Sequence, residues 1–194
     1  MNKAIFFDRD GVITPMIYEP EEGLVETVRK PQDVSLVFGI NQVMKAAKEK
    51  GYLLIVISNQ PNIALGKISK EMFEKIRDEM THQLAGKGIT LDDELYAFHH
   101  PYAKRKVYKD MPDTRKPKPD MILEAAKNHD INLHESWMIG DGVNDIKAGK
   151  AAGCKTALLG NIIEAEYLHV LEENLDGIKP DVMLKKLPGF IEYL

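Results

Sequence analysis

The sequence predicts an α/β fold, a doubly wound, Rossmann-like parallel sheet without a large cap domain, formed as one domain over residues 1–194. Three observations carry this. Short, almost wholly apolar runs recur along the chain, as in KAIFF at 3–7 and YLLIVI at 52–57, the signature of strands covered on both faces. Segments with apolar residues three and four apart separate these runs, as crossover helices would. Polar groups rich in Asp, Asn and Lys stand just past the apolar runs, where such a sheet opens its ligand crevice.

Taken in order, Lys3 to Phe7 is the first strand, ending at Asp and Gly turn signals. Ile40 to Lys50 is a helix with Ile40, Val43, Met44 and Ala47 on one face and Gly51 just past its end. Tyr52 to Ile57 is the next strand. Ser69 then caps a helix through Met72, Phe73, Ile76 and Met80, with Glu71 in its first turn. The alternation repeats: a strand at Glu94 to Phe98, a long polar loop to Pro119, and a helix at Asp120 to Asn128. A strand at Ser136 to Ile139, a helix at Val143 to Ala152 and a strand at Lys155 to Leu159 follow. A helix around Glu164 to Leu171, an edge strand at Asp181 to Leu184 and a final turn complete the chain. Residues 14–33, punctuated by Pro15, Pro20, Gly23 and Pro31, read as a flap beside the first strand, and residues 99–115 as a substrate loop. There is no internal repeat, low-complexity tract or interdomain linker.

Composition bounds the function. At 194 residues, 44% hydrophobic and 29% charged, the chain is an ordinary globular domain. A net charge of -4 and a pI of about 5.9 argue against nucleic acid or a membrane surface as partner. No run approaches the roughly 18 apolar residues that span a bilayer, and the N-terminus lacks a signal peptide's apolar core. The single cysteine, Cys154, excludes an intrachain disulfide and a cysteine-rich zinc site. The expectation is a cytoplasmic monomer or small homo-oligomer.

Four polar groups fall at strand ends: Asp8 and Asp10, Ser58 and Asn59, Lys116, and Asp141 with Asp145. Each alone has an ordinary explanation as turn chemistry, a helix cap or a surface charge. Gathered in one crevice, four carboxylates require a counter-charge, and oxygen-only ligands suit Mg²⁺. The Ser58 hydroxyl, the Asn59 main-chain N–H and the Lys116 ammonium are groups that hold a phosphoryl oxygen. One aspartate can then attack phosphorus.

Together, DRDGV, ISNQ, RKPKP and GDGVND resemble the four motifs of the haloacid dehalogenase-like phosphatases. Within them, FFDRDGVI, VISNQPNIALG and TRKPKPDMI look most like subfamily IIIA, in the branch containing heptose bisphosphate and histidinol phosphatases. The resemblance implies that Asp8 is the nucleophile, forming an aspartyl-phosphate, and that Asp10 is the general acid and base. It implies Mg²⁺ on Asp8, the Asp10 main-chain carbonyl and Asp141, with Asp145 in support. It implies phosphate held by Ser58, Asn59 and Lys116, and substrate recognition by Arg115. About 48 residues separate Asp10 from Ser58 and about 56 separate Asn59 from Arg115, which leaves no room for a large cap.

The chain departs from that branch in two places. Where relatives carry a zinc loop of the form CPHHP and CxCRKP, this chain has AFHHP at 97–101 and PDTRKP at 112–117. Ala97, Pro112 and Thr114 replace the cysteines, one remaining His99 cannot build a tetrahedral site, and no zinc is expected. NQPNIALG also differs from NQSGIARG at Pro61, Asn62 and Leu65. The basic run of Lys104, Arg105, Lys106 and Lys109 is either a solvated loop or a contact for a second anionic group. The expected function is a Mg²⁺-dependent phosphatase for a small phosphorylated metabolite, a heptose-type sugar phosphate or bisphosphate first. Histidinol phosphate and a polynucleotide 3′-phosphate are the alternative substrates, and a binding module without turnover is the non-enzymatic one.

Overall fold

The computed structural model describes residues 1–19, 24–160 and 173–194. Among these, the strands are β1 (Lys3–Phe7), β2 (Ile17–Glu19), β3 (Leu24–Glu26), β4 (Tyr52–Asn59), β5 (Asp93–Ala97), β6 (Trp137–Gly140), β7 (Lys155–Leu159) and β8 (Val182–Leu184). The α-helices are α1 (Ile40–Glu49), α2 (Pro61–Ala64), α3 (Lys70–Ala85), α4 (Lys106–Lys109), α5 (Asp120–Asn128) and α6 (Val143–Ala152). Six strands form one sheet in the order β5-β4-β1-β6-β7-β8, and every neighbouring pair in it is parallel.

Side chains alternate between the faces of a strand, and the core divides on that period. From β1, Ile5 and Phe7 enter one hydrophobic cluster, while Ala4 and Phe6 enter the other. The first cluster is closed by Val43, Met44 and Ala47 of α1 and Ile76, Met80 and Leu84 of α3. The second is closed by Met121, Ile122 and Ala125 of α5 and Ala148 of α6. The sheet is therefore the middle of three layers, as the two-sided apolar runs require. Each large side chain buried this way contributes about 1.5–3 kcal/mol, and Phe6, Phe7 and Ile5 are all fully buried.

The structure refines several boundaries. β4 runs on through Ser58 and Asn59, which pair with Tyr96 and Ala97 of β5. The strand expected at Glu94 to Phe98 spans Asp93–Ala97, and that expected at Ser136 to Ile139 spans Trp137–Gly140. The flap of 14–33 contains an antiparallel pair, β2 with β3. Two single-turn helices appear beyond those expected, α4 in the stretch expected to be loop and α2 in one assigned no element; four residues are too few to display a helical period. Ser69 caps α3 as its sequence implies, accepting from the Met72 N–H at 3.1 Å. The final turn is a 3-10 segment, Leu187–Tyr193, whose Phe190 ring meets Trp137 edge-on at 5.1 Å. The helix expected around Glu164 to Leu171 lies outside the described residues. No helix among the described residues is long and apolar enough to cross a membrane.

Cys154 follows α6 and sits in the second cluster, 4% exposed. Burial pushes its thiol up to about 12. Because the thiolate is the reactive form, the native chain at pH 8 should resist iodoacetamide, whereas the denatured chain alkylates at the ordinary rate. Mass spectrometry reads the difference, and full labelling of the folded chain at pH 8 would contradict this placement.

Candidate active site

The site is built where β1, β4 and β6 end. The Asp8 N–H donates to the Ile139 carbonyl at 2.9 Å, tying the residue after β1 to β6. The chain then turns tightly: the N–H groups of Ile13 and Thr14 both donate to the Arg9 carbonyl at 2.9 Å. Gly11 adopts φ +87, and a Cβ there would fall 1.8 Å from Asp141 Oδ2. A Cβ on Gly140 would fall 2.1 Å from the Asp145 Cβ. Glycines in DRDG and in GDG thus let the turn after β1 meet the turn after β6, so their carboxylates face each other.

Asp8, Asp141 and Asp145 each bring a carboxylate oxygen within 4.8 Å of the others. Asp145 also caps α6, accepting from the Gly142 N–H at 3.0 Å. Lys116 reaches into this group with 4% of its surface exposed. Its Nζ lies 3.0 Å from Asp8 Oδ1 and 2.5 Å from Asp145 Oδ1, and donates to the Ile57 carbonyl at 2.9 Å. Burial works to remove its proton, but the charges of Asp145 and Asp8 outweigh that and hold the ammonium well above the lysine range. Burial, then Asp8 and Asp145, push the Asp141 carboxyl up to about 8. Burial also raises Asp145, with Lys116 opposing. One ammonium does not neutralise three carboxylates, so the pocket has an unmet need for positive charge.

The other sequence-derived residues divide. Ser58 is buried, and its Oγ accepts from Gln60 Nε2 at 3.1 Å. The Asn59 side chain turns to the Lys116 main chain: Nδ2 donates to its carbonyl at 3.0 Å and Oδ1 accepts from its N–H at 2.9 Å. Asn59 thereby places Lys116. Arg115 is engaged by Asp113, Nε to Oδ1 at 2.7 Å. Asp113 also takes Lys118 at 3.1 Å and faces His99 Nδ1 at 3.3 Å, which ties the substrate loop together. The Arg115 guanidinium, above all, holds the Asp113 carboxyl well below the carboxylate range. Lys104, Arg105, Lys106 and Lys109 are exposed. The flap is pinned beside α2, where Glu26 pairs with Lys67 at 2.5 Å and Asn62 Nδ2 donates to Thr27 Oγ1 at 2.9 Å.

Asp10 stands apart from the carboxylate group. Its side chain turns to Arg9, whose NH2 donates to Oδ1 at 3.0 Å and whose Nε lies 3.2 Å from both oxygens. Gln60 Nε2 donates to Asp10 Oδ2 at 2.7 Å, and Thr14 Oγ1 lies 3.4 Å from Oδ1. Sequence reasoning overlooked Arg9, Thr14 and Gln60. The available signals were an arginine between two motif aspartates and a glutamine directly after Ser58-Asn59.

A parallel α/β sheet that gathers acidic groups and a buried lysine beyond its strand ends, under loops instead of a large cap, defines a class of small hydrolytic enzymes. The chain belongs to the haloacid dehalogenase-like hydrolases, whose family model matches residues 25–153. That match holds Ser58, Asn59, Arg115, Lys116, Asp141 and Asp145 and starts beyond the Asp8–Asp10 turn. The chain is 37% identical over 159 residues to the D-glycero-beta-D-manno-heptose-1,7-bisphosphate 7-phosphatase of Pasteurella multocida, covering 82% of each chain. It is 32% identical over 196 residues to the enzyme of the same name from Haemophilus ducreyi, covering 99% of this chain and 98% of the other. Among solved structures, the D,D-heptose 1,7-bisphosphate phosphatase of B. bronchiseptica, complexed with magnesium and phosphate, shares the fold. Its TM-score is 0.76 at 23% identity, over 98% of this chain and 97% of that one.

Proposed function

We propose that the chain is a Mg²⁺-dependent phosphatase that hydrolyses a heptose 1,7-bisphosphate through an aspartyl-phosphate on Asp8. The observation that carries the reading is the buried contact of Lys116 with both Asp8 and Asp145, beside the Asp141 carboxyl group. The names of the curated relatives support the substrate class.

The donor set fits the metal. Three carboxylates converge with oxygen ligands only, and their mutual repulsion is relieved by a divalent cation. Asp8, Asp141 and Asp145 would hold it, with the Asp10 main-chain carbonyl. When bound, Mg²⁺ supplies charge that offsets the substrate's phosphate and lets two anions approach.

The chain's own residues supply the rest. The Asp8 carboxylate attacks phosphorus, forming an Asp8–O–P bond as the bond to the sugar oxygen breaks. Lys116 and the Ser58 hydroxyl hold the equatorial oxygens, and Asn59 keeps Lys116 in place. Asp10 gives a proton to the departing sugar alkoxide. It then takes one from the water that attacks the acyl phosphate, releasing phosphate and restoring Asp8. In the orientation described, Asp10 accepts from Arg9 and Gln60, as suits the carboxylate that receives a proton in this second step.

The test is phosphate release from heptose 1,7-bisphosphate, heptose monophosphates, histidinol phosphate and a 3′-phosphorylated oligonucleotide, each with Mg²⁺ or with EDTA. The expected result is Mg²⁺-dependent turnover with highest kcat/KM on the heptose bisphosphate. Preference for histidinol phosphate or the oligonucleotide would reassign the substrate. Turnover undiminished in EDTA would remove the metal from the mechanism.

A further inference from the structure

We propose that Gln60 is a positioning residue that sets the acid–base aspartate, Asp10, in register with the phosphate-holding hydroxyl of Ser58. The proposal rests on the roles given above to Asp10 and Ser58.

Gln60 is 2% exposed and directly precedes α2, yet its side chain caps nothing there. All of it is committed to the site. Nε2 donates to Asp10 Oδ2 at 2.7 Å and to Ser58 Oγ at 3.1 Å, and Oε1 accepts from Arg9 NH2 at 2.9 Å. The amide has one workable orientation. A guanidinium can only donate, so Oε1 must face Arg9; an ionised carboxylate can only accept, so Nε2 must face Asp10. Arg9 is itself 1% exposed and holds Asp10 from the other side. Asp10, Arg9 and Gln60 thus close a ring of hydrogen bonds, and a buried ring of this kind restrains the place of each member.

The second N–H of the amide extends the ring to the phosphate site. Because Ser58 Oγ accepts from Gln60, its own hydroxyl hydrogen points elsewhere and is free for a phosphoryl oxygen. One side chain therefore aligns the group that holds the phosphate and the group that moves the proton.

The experiment uses Gln60→Met, which keeps the length of the side chain and removes all three hydrogen bonds. A general acid matters for a poor leaving group such as a sugar alkoxide and little for p-nitrophenolate, whereas a loosened Ser58 handicaps both. The loss of kcat/KM should be about 100-fold on the heptose bisphosphate and within about 10-fold on p-nitrophenyl phosphate. Asp10→Asn should show the same split, larger. The double variant should be worse than Asp10→Asn only by the loss that Gln60→Met shows on p-nitrophenyl phosphate, since the rest of the Gln60 effect acts through Asp10. Gln60→Glu keeps the volume and the acceptor for Arg9 but loses the donors to Asp10, and should reproduce the split if Gln60→Met fails to fold.

Equal losses on both substrates, or the full Gln60→Met loss on the heptose bisphosphate adding in the double variant while Asp10→Asn keeps its split, would overturn the proposal. Asp10→Asn losing both substrates equally would instead remove the acid role of Asp10, a failure of the underlying reading visible without any Gln60 variant.

Discussion

Asp8→Asn is expected to lower phosphate release by about 10⁴-fold or more, since an amide oxygen does not replace a carboxylate as nucleophile. The fold should survive. Asp8 occupies the end of β1 with 15% of its side chain exposed, and it shares its pocket with two other carboxylates. Lys116 then keeps Asp145 as its partner and the crowded carboxyl groups repel one another less, so the metal-free variant should melt at or above the wild-type temperature. Stability gained where activity is lost is the usual mark of a functional group held against its local preference. Phosphate release with a thermal melt on the same sample checks both halves; a variant that melts well below wild type would mean that Asp8 is structural.

Lys116→Met should lose activity and stability together. Its ammonium is the cation in contact with Asp8 and Asp145, and it is nearly inaccessible to solvent. Removing one partner of a buried ion pair leaves uncompensated charge and costs about 3–5 kcal/mol. Loss of a charged group aimed at the phosphoryl oxygens costs a further 10²–10³-fold, roughly, in turnover. Mg²⁺ should restore part of the stability, because the cation answers the same excess of negative charge, but little of the rate. Chemical denaturation with and without Mg²⁺ measures the first effect and steady-state kinetics the second. A variant as stable as wild type in EDTA would contradict the electrostatic account. Asp8→Asn and Lys116→Met together make a paired test: substitutions on two sides of one 3.0 Å contact should move stability in opposite directions.

Much of this arrangement is legible from sequence because it follows from strand ends. β1 and β6 are short apolar runs that stop at aspartates, and parallel topology alone brings Asp8 and Asp141 to one crevice. Lys116 converges with them although it lies far along the chain, because β4 and the loop after β5 deliver it to the same edge. The partnerships inside the crevice were less visible. Asn59 reads as a phosphate contact through its main-chain N–H, and no local pattern announces that its side-chain amide pairs with the main chain of Lys116, 57 residues away. The burial of Arg9 has no sequence signal of its own, because arginines are seldom buried unless paired; here Asp10 and Gln60 pair it. The single-turn helices α2 and α4 escaped for want of length, and the flap hairpin for the brevity of its strands.

The central claim is that phosphorus is transferred to Asp8. The most direct measurement mixes the chain with heptose 1,7-bisphosphate and Mg²⁺, quenches in acid during turnover, and maps phosphorylated side chains by mass spectrometry, with borohydride reduction of a parallel sample turning any aspartyl-phosphate into homoserine. The account predicts modification at Asp8 and at no other residue, and none in Asp8→Asn. Steady turnover with Asp8 unmodified at every quench time, or a phosphoryl group carried by another side chain, would contradict it.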